Sequence, residues 1–116
     1  MILISDASPL AGLPAGTYGP WDVDPSCRIV VAGTPYLAGS NRLLATGVGN
    51  LMAAVSWPIA EVLGTVTRNP ALLLGRSPPE LEPGQPASLV VFRHGAPDEF
   101  ILTRTVVDGV WHESAT

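Results

Sequence analysis

Twelve glycines and twelve prolines stand at turn-like positions between short apolar segments, so no regular element of this chain can run long. In polar tracts the same residues would mark disorder. Here the segments they bound are apolar, and the chain reads as folded and rich in loops. Its 116 residues give room for one domain around one core.

Charge narrows the possibilities further. Charged residues are 14% of the chain against 47% hydrophobic, where an average soluble domain has roughly 25% charged. A surface this poor in charge expects a partner. Six Lys and Arg against ten Asp and Glu leave a net charge of −4, with no basic stripe to neutralise phosphates, so nucleic acid is not expected as a ligand. Apolar runs such as Met52-Ala53-Ala54-Val55 and Ser88-Leu89-Val90-Val91-Phe92 fall far short of the roughly 20 residues of a membrane span. Met1-Ile2-Leu3-Ile4 lacks a basic flank and meets Asp6 almost at once, unlike a signal peptide. No membrane association and a cytoplasmic location are therefore expected. Cys27 has no partner for an internal disulfide, and a turn cysteine with only Arg28 as a basic neighbour reads as inert. His94 and His112 stand apart, so no metal site made wholly by this chain is expected.

Along the chain, Ile2-Leu3-Ile4-Ser5 reads as a short strand buried on both faces. Residues 7–20 read as loop, and Arg28-Ile29-Val30-Val31-Ala32 as a β-branched strand. Ser40 suits the N-cap of a helix over Asn41 to Val55, because Leu44, Val48, Leu51, Met52 and Val55 make one apolar stripe. Gly47 and Gly49 weaken that helix, so packing must support it. A second helix is expected from Pro58, with Ile59, Val62, Leu63 and Val66 on one face. A third is capped by Asn69, with Pro70 at its first position, and stops at Gly75. Beyond Ser77-Pro78-Pro79 the period becomes that of strands: Ala87 to Arg93, Phe100 to Val107 and Val110 to Glu113. Asp108-Gly109 between the last two signals a type I′ hairpin.

Asp6 is the most informative polar residue. A carboxylate where a buried strand enters a Gly/Pro loop is where α/β and barrel enzymes place ligand-contacting groups, although an Asp that caps the following turn is the commoner role.

The order of segments adds to this. Ile4-Ser5-Asp6-Ala7, then Ala11-Gly12-Leu13-Pro14-Ala15-Gly16-Thr17-Tyr18, then Leu37-Ala38-Gly39-Ser40 resembles the carboxyl-terminal part of N-acetylglucosamine-6-phosphate deacetylases, in the metal-dependent amidohydrolase superfamily. The resemblance continues through Val66-Thr67-Arg68-Asn69-Pro70-Ala71 and Leu74-Gly75. It ends in Leu81-Glu82-Pro83-Gly84 to Phe92 and Thr105-Val106-Val107-Asp108-Gly109.

It implies an α+β chain: the last strand and pocket loop of a (β/α)8 barrel, two to three helices, and the strands of a small antiparallel β-sandwich. The corresponding division is residues 1–77 for the barrel end and 78–116 for the sandwich strands, packed as one compact unit. By the same resemblance Asp6 is the catalytic acid/base that takes a proton from the attacking water and passes it to the leaving amine. Leu37, Ala38 and Gly39 match the segment that lines the sugar-phosphate pocket through its backbone, a task suited to small residues. The implied cofactor is a divalent metal, zinc or similar. Its family ligands, a Glu and two His, lie on earlier strands that this chain does not contain, and His94 and His112 do not match them.

Two departures stand out: Gly19-Pro20-Trp21 replaces a usual Gly-Gly region, and Ser88 stands where the superfamily commonly has Asp. Trp21, Trp57 and Trp111 read as partial core rather than as sugar-stacking platforms. Arg42 reads as a solvated first-turn residue, with approach to a phosphate as the rarer alternative. The expected function is therefore a deacetylase-like amidohydrolase part, hydrolysing the acetamide of an amino-sugar phosphate when combined with the missing barrel and inactive by itself. The alternative is a stand-alone, non-catalytic module that binds a partner or self-assembles. The expected partners are a complementing barrel chain or a second copy, with a sugar phosphate bound in the complete enzyme.

Overall fold

A computed structural model describes residues 1–96 and 99–113. Two compact units make up the chain. One comprises Ile4–Gly47, and the other takes Met1–Leu3 together with the described residues from Val48 onward. The described residues form an α+β fold, with three helices and two antiparallel three-stranded sheets.

In the first unit, β1 (Gly16–Tyr18), β2 (Trp21–Val23) and β3 (Ile29–Val31) form a sheet in sequence order. Gly19 with φ +64 and Pro20 make the turn between Tyr18 and Trp21, which pair directly. Val23, Ile29 and Val30 are the buried apolar residues of this unit. The backbone then returns along β3: Val30 bridges Leu37, and the Ala38 amide donates to the Ile29 carbonyl at 2.8 Å. The strand expected over residues 28–32 is thus present. The loop expected over 7–20 is interrupted by β1, because a glycine-flanked tripeptide that reads as loop in isolation can still pair once a neighbour is alongside.

The helices are α1 (Leu44–Ala54), α2 (Ile59–Gly64) and α3 (Arg68–Leu73). Along α1 the expected stripe is the less exposed face, with Val48 and Gly49 buried. The helix starts at Leu44 and not beside Ser40. Pro58 is the N-cap of α2, which therefore begins one position later than expected, and Thr67 rather than Asn69 is the N-cap of α3. Pro70 then falls within the first turn of α3, where its missing N–H costs nothing. Gly75 stops α3 as the sequence requires. It sits at φ +68, its amide donates to the Leu72 carbonyl, and the Arg76 amide donates to the Ala71 carbonyl, the two bonds of a Schellman motif.

The second sheet runs β4 (Leu89–His94), β5 (Phe100–Val107) and β6 (Val110–Glu113) in order. Asp108 (φ +49) and Gly109 (φ +82) join Val107 to Val110, the two positive φ values of a type I′ turn. Ser88 ties this turn down: its hydroxyl accepts from the Asp108 amide at 3.1 Å, and the Gly109 amide reaches the Ala87 carbonyl at 2.9 Å. Val48, Val62 and Val106 are the buried apolar residues of this unit, beside Thr65, whose hydroxyl donates to the Val62 carbonyl at 2.7 Å.

Ile2-Leu3-Ile4-Ser5 does not form the expected strand. Among the described residues it pairs with no other strand, and its apolar run is held instead by the Leu3 amide donating to the Thr65 carbonyl and by Asn69 Nδ2 donating to the Met1 carbonyl. A strand needs a ladder, and none is offered. Trp57 and Trp111 are also not core residues: they are 47% and 61% exposed, and the Arg104 guanidinium lies over the Trp111 ring. No helix among the described residues is long and apolar enough to cross a membrane.

Val62 is fully buried, so Val62→Ala should lower the unfolding free energy by about 2 kcal/mol. Gly75→Ala, which meets no neighbour but must hold a positive φ, should cost about 1 kcal/mol. Urea denaturation of the two variants checks both the values and their order.

Candidate active site

The expected site residues come from two distant segments, and the backbone brings them together. The Ser40 amide donates to the Asp6 carbonyl at 2.7 Å, and the Ser8 amide donates to the Ser40 carbonyl at 3.1 Å. These bonds form a parallel bridge between Ala7 and Ser40. Asp6 itself has φ +49, a left-handed backbone uncommon outside glycine, though aspartate adopts it more readily than most residues.

Ser40 has thereby taken a different role from the expected helix cap. Its hydroxyl accepts from the Arg42 amide at 2.9 Å, closing a local turn, while its main chain serves the bridge to Asp6 and Ser8. A residue so committed cannot also start a helix. The loop after Asp6 is pinned to the same place, because Asn41 Oδ1 accepts from the Gly12 amide.

Around this junction lies an open cavity of about 480 Å³. Asp6, Leu37 and Gly39 line it, whereas Ala38 does not. Ser40, Asn41 and Arg42 continue the wall on one side. Ser26, Cys27 and Arg28 close it on the other. Asp6 is exposed, and Leu37 is 68% exposed.

The second wall is a turn folded around one carboxylate. Asp24 Oδ1 accepts from the Ser26 amide (2.8 Å), the Ser26 hydroxyl (2.7 Å) and the Arg28 amide (3.0 Å). Its Oδ2 accepts from Arg28 Nε at 2.7 Å, and the guanidinium completes an ion pair at the same oxygen. The Ser26 hydroxyl first, then the Arg28 amide and guanidinium, hold the Asp24 carboxyl well below the usual range. This compact turn sets Cys27 at φ +61, with its thiol exposed.

Two guanidinium-bearing residues and one carboxylate thus line a cavity in a chain whose net charge is −4. Ser26, Cys27 and Arg28 were not singled out as site residues from the sequence. The Asp-Pro-Ser run signals a turn there, but nothing local says that this turn faces Asp6. Trp21, Trp57, Trp111, His94 and His112 do not line the cavity.

Among the described residues Asp6 is the only carboxylate on the wall, and no three of His, Cys, Asp and Glu gather. The set does not fit a divalent metal by itself, since such a site takes at least three protein ligands.

No protein-family model matches the chain. Over 113 residues it is 33% identical to N-acetylglucosamine-6-phosphate deacetylase of Vibrio furnissii. Its architecture matches the crystal structure of N-acetyl-D-glucosamine-6-phosphate deacetylase from Mycobacterium smegmatis with a TM-score of 0.77 at 30% identity. The chain resembles one part of these deacetylases. The matches cover 94% and 95% of this chain but only 27% of the Vibrio enzyme and 30% of the Mycobacterium chain. That proportion is consistent with a C-terminal part of the deacetylase family.

The Asp24 turn makes a pH prediction. A carboxyl whose folded-state pKa is depressed contributes stability above its unfolded value, here 3.8, and loses it progressively as pH falls below that. The Ser26 and Arg28 amides should therefore be protected from exchange at pH 6 and keep most of that protection at pH 3, because the folded carboxyl is still ionised there. Asp24→Ala should lack that protection at both values. Amide exchange followed by NMR checks the difference.

Proposed function

We propose that this chain is the carboxyl-terminal part of a metal-dependent amidohydrolase, which hydrolyses the acetamide C–N bond of an N-acetylated amino-sugar phosphate together with the portion of a deacetylase lying outside the matched stretch. The observation that carries this reading is the Asp6–Ser40 junction, which gathers Asp6, Leu37 and Gly39 around one cavity. The resemblance of the chain to known deacetylases supports it.

In this reading Asp6 performs the proton transfer. Its exposed carboxylate accepts the proton released as water adds to the acetamide carbonyl, then delivers it to the amine nitrogen as the C–N bond breaks, leaving acetate and a free amino sugar. Leu37 and Gly39 shape the cavity wall, Gly39 with no side chain to hold a ligand away from its backbone. The metal that the resemblance implies is assigned to residues outside this chain. A cytoplasmic location accompanies the reading, because a sugar phosphate is too polar to cross a bilayer unaided.

Partnership is part of the proposal. Leu72, Leu73 and Leu74 are 56%, 75% and 69% exposed, a row of leucines that water covers at about 25 cal/mol per Å² of apolar surface. The same row favours a second reading, in which the chain is a non-catalytic module that pairs with a copy of itself.

Co-purification of the chain with a complementing deacetylase barrel, followed by an acetate-release assay, separates the two. Active complex is expected from the native chain. Asp6→Asn should lower kcat by about 10²- to 10⁴-fold without preventing association, since an amide keeps the shape but cannot relay a proton. Near-normal turnover of that variant would remove Asp6 from the reaction. An inactive mixture in which light scattering finds only dimers of this chain would favour the second reading.

A further inference from the structure

Gly39 differs from the other positive-φ glycines of the molecule. Gly12, Gly19, Gly33, Gly75, Gly84 and Gly109 have open space where a Cβ would stand. At Gly39, with φ +130, a Cβ would lie 2.9 Å from Ser8 Cβ, 3.3 Å from the Asp6 carbonyl oxygen and 3.6 Å from Ser8 Cα. The first distance is inside any real carbon–carbon contact, and the atoms it meets are not the far ends of flexible side chains. Ser8 cannot step aside cheaply, because its amide donates to the Ser40 carbonyl and its hydroxyl accepts from the Leu10 amide at 3.0 Å.

What the absent side chain permits is the closure of residues 39–40 onto residues 6–8. That closure carries the 2.7 Å bond from the Ser40 amide to the Asp6 carbonyl. Asp6 is one of three non-glycine residues with positive φ among those described, a conformation uncommon outside glycine. The direction in which a residue's Cβ leaves the chain depends on that backbone conformation, so an Asp6 released from the left-handed region presents its carboxylate elsewhere.

We propose that Gly39 is a positioning residue for Asp6: its missing Cβ lets the Ser40 segment close on Asp6 and Ser8, and this closure holds Asp6 in the left-handed backbone that aims its carboxylate. The inference rests on the reading of Asp6 as the proton-transfer residue, and it assigns Gly39 a duty distinct from contact with ligand.

The test has two arms. In the first, amide exchange is followed by NMR on the chain itself. Gly39→Ala should speed exchange at Ser8 and Ser40 by about tenfold or more, while Val106, in the β4–β5 ladder, stays within about twofold. Adding Ser8→Gly, which removes the crowded carbon, should restore part of the protection, the rest staying lost to the strain of an alanine at φ +130. Adding Ser8→Ala, which keeps that carbon, should not. Unchanged exchange at Ser8 and Ser40, or equal rescue by both Ser8 variants, would overturn the proposal. So would a loss of protection throughout the chain that Ser8→Gly fails to relieve.

In the second arm, the chain is combined with a complementing deacetylase barrel. Gly39→Ala should lower kcat by about tenfold or more, a loss larger than any rise in KM from the altered cavity wall, the signature of a misplaced reacting group. A raised KM with kcat unchanged would overturn the positioning role in favour of ligand contact. If the native combination releases no acetate, the reading of Asp6 fails with it, and the exchange arm decides separately whether Gly39 permits the closure of residues 39–40 onto residues 6–8.

Discussion

Ser40 gives both of its backbone groups to the segment Asp6–Ser8, accepting one hydrogen bond from Ser8 and donating one to Asp6. Much of the first unit is arranged by this exchange. It draws the loop after Asp6 against the end of the segment that returns along β3, so Leu37 and Gly39 arrive beside Asp6 without any side chain having to reach across. It also removes Ser40 from the α1 terminus and moves the start of that helix to Leu44. Backbone groups are obligatory hydrogen-bonding partners, and a pairing that satisfies two of them prevails over a side-chain cap that satisfies one.

The opposite wall depends on a carboxylate used in a different manner. Asp24 makes no contribution to the cavity surface itself, yet it folds the turn that supplies Ser26, Cys27 and Arg28. Its ion pair with Arg28 is solvent-exposed on the arginine side and adds little stability by itself. The hydrogen bonds to Ser26 and to the Arg28 amide define the turn, and the ion pair orients the guanidinium. Arg28 is therefore held at the cavity by a residue outside it. Arg42 arrives from the other side through the turn that the Ser40 hydroxyl closes.

The second unit was more legible in sequence than the first. The hairpin at Asp108-Gly109, the strands Phe100–Val107 and Val110–Glu113, and the stop of α3 at Gly75 all follow from residues that dictate their own backbone within one turn. Helix starts were read less well, by one position at Pro58 and by two at Thr67, because proline suits both the edge and the first turn of a helix. The tryptophans misled for another reason. Apolar size predicts burial only where a core is available, and Trp57 and Trp111 stand outside the described cores.

By itself, the sequence determined the α+β class, the local turns and the apolar faces of α1 and α2. These rest on periodicity, on glycine and proline geometry, and on motifs, all of which are written in neighbouring residues. Only the tertiary structure decided that Ile2–Ser5 has no ladder among the described residues, that Ala38 lies off the cavity wall, and that the Asp24 turn faces Asp6. It also decided between two uses of Ser40. A serine before an apolar stripe can cap a helix or lend its backbone to a bridge, and the choice turns on whether a segment far earlier in the chain lies alongside it. That proximity is a property of the folded chain, because no local energy term records which distant backbone will arrive.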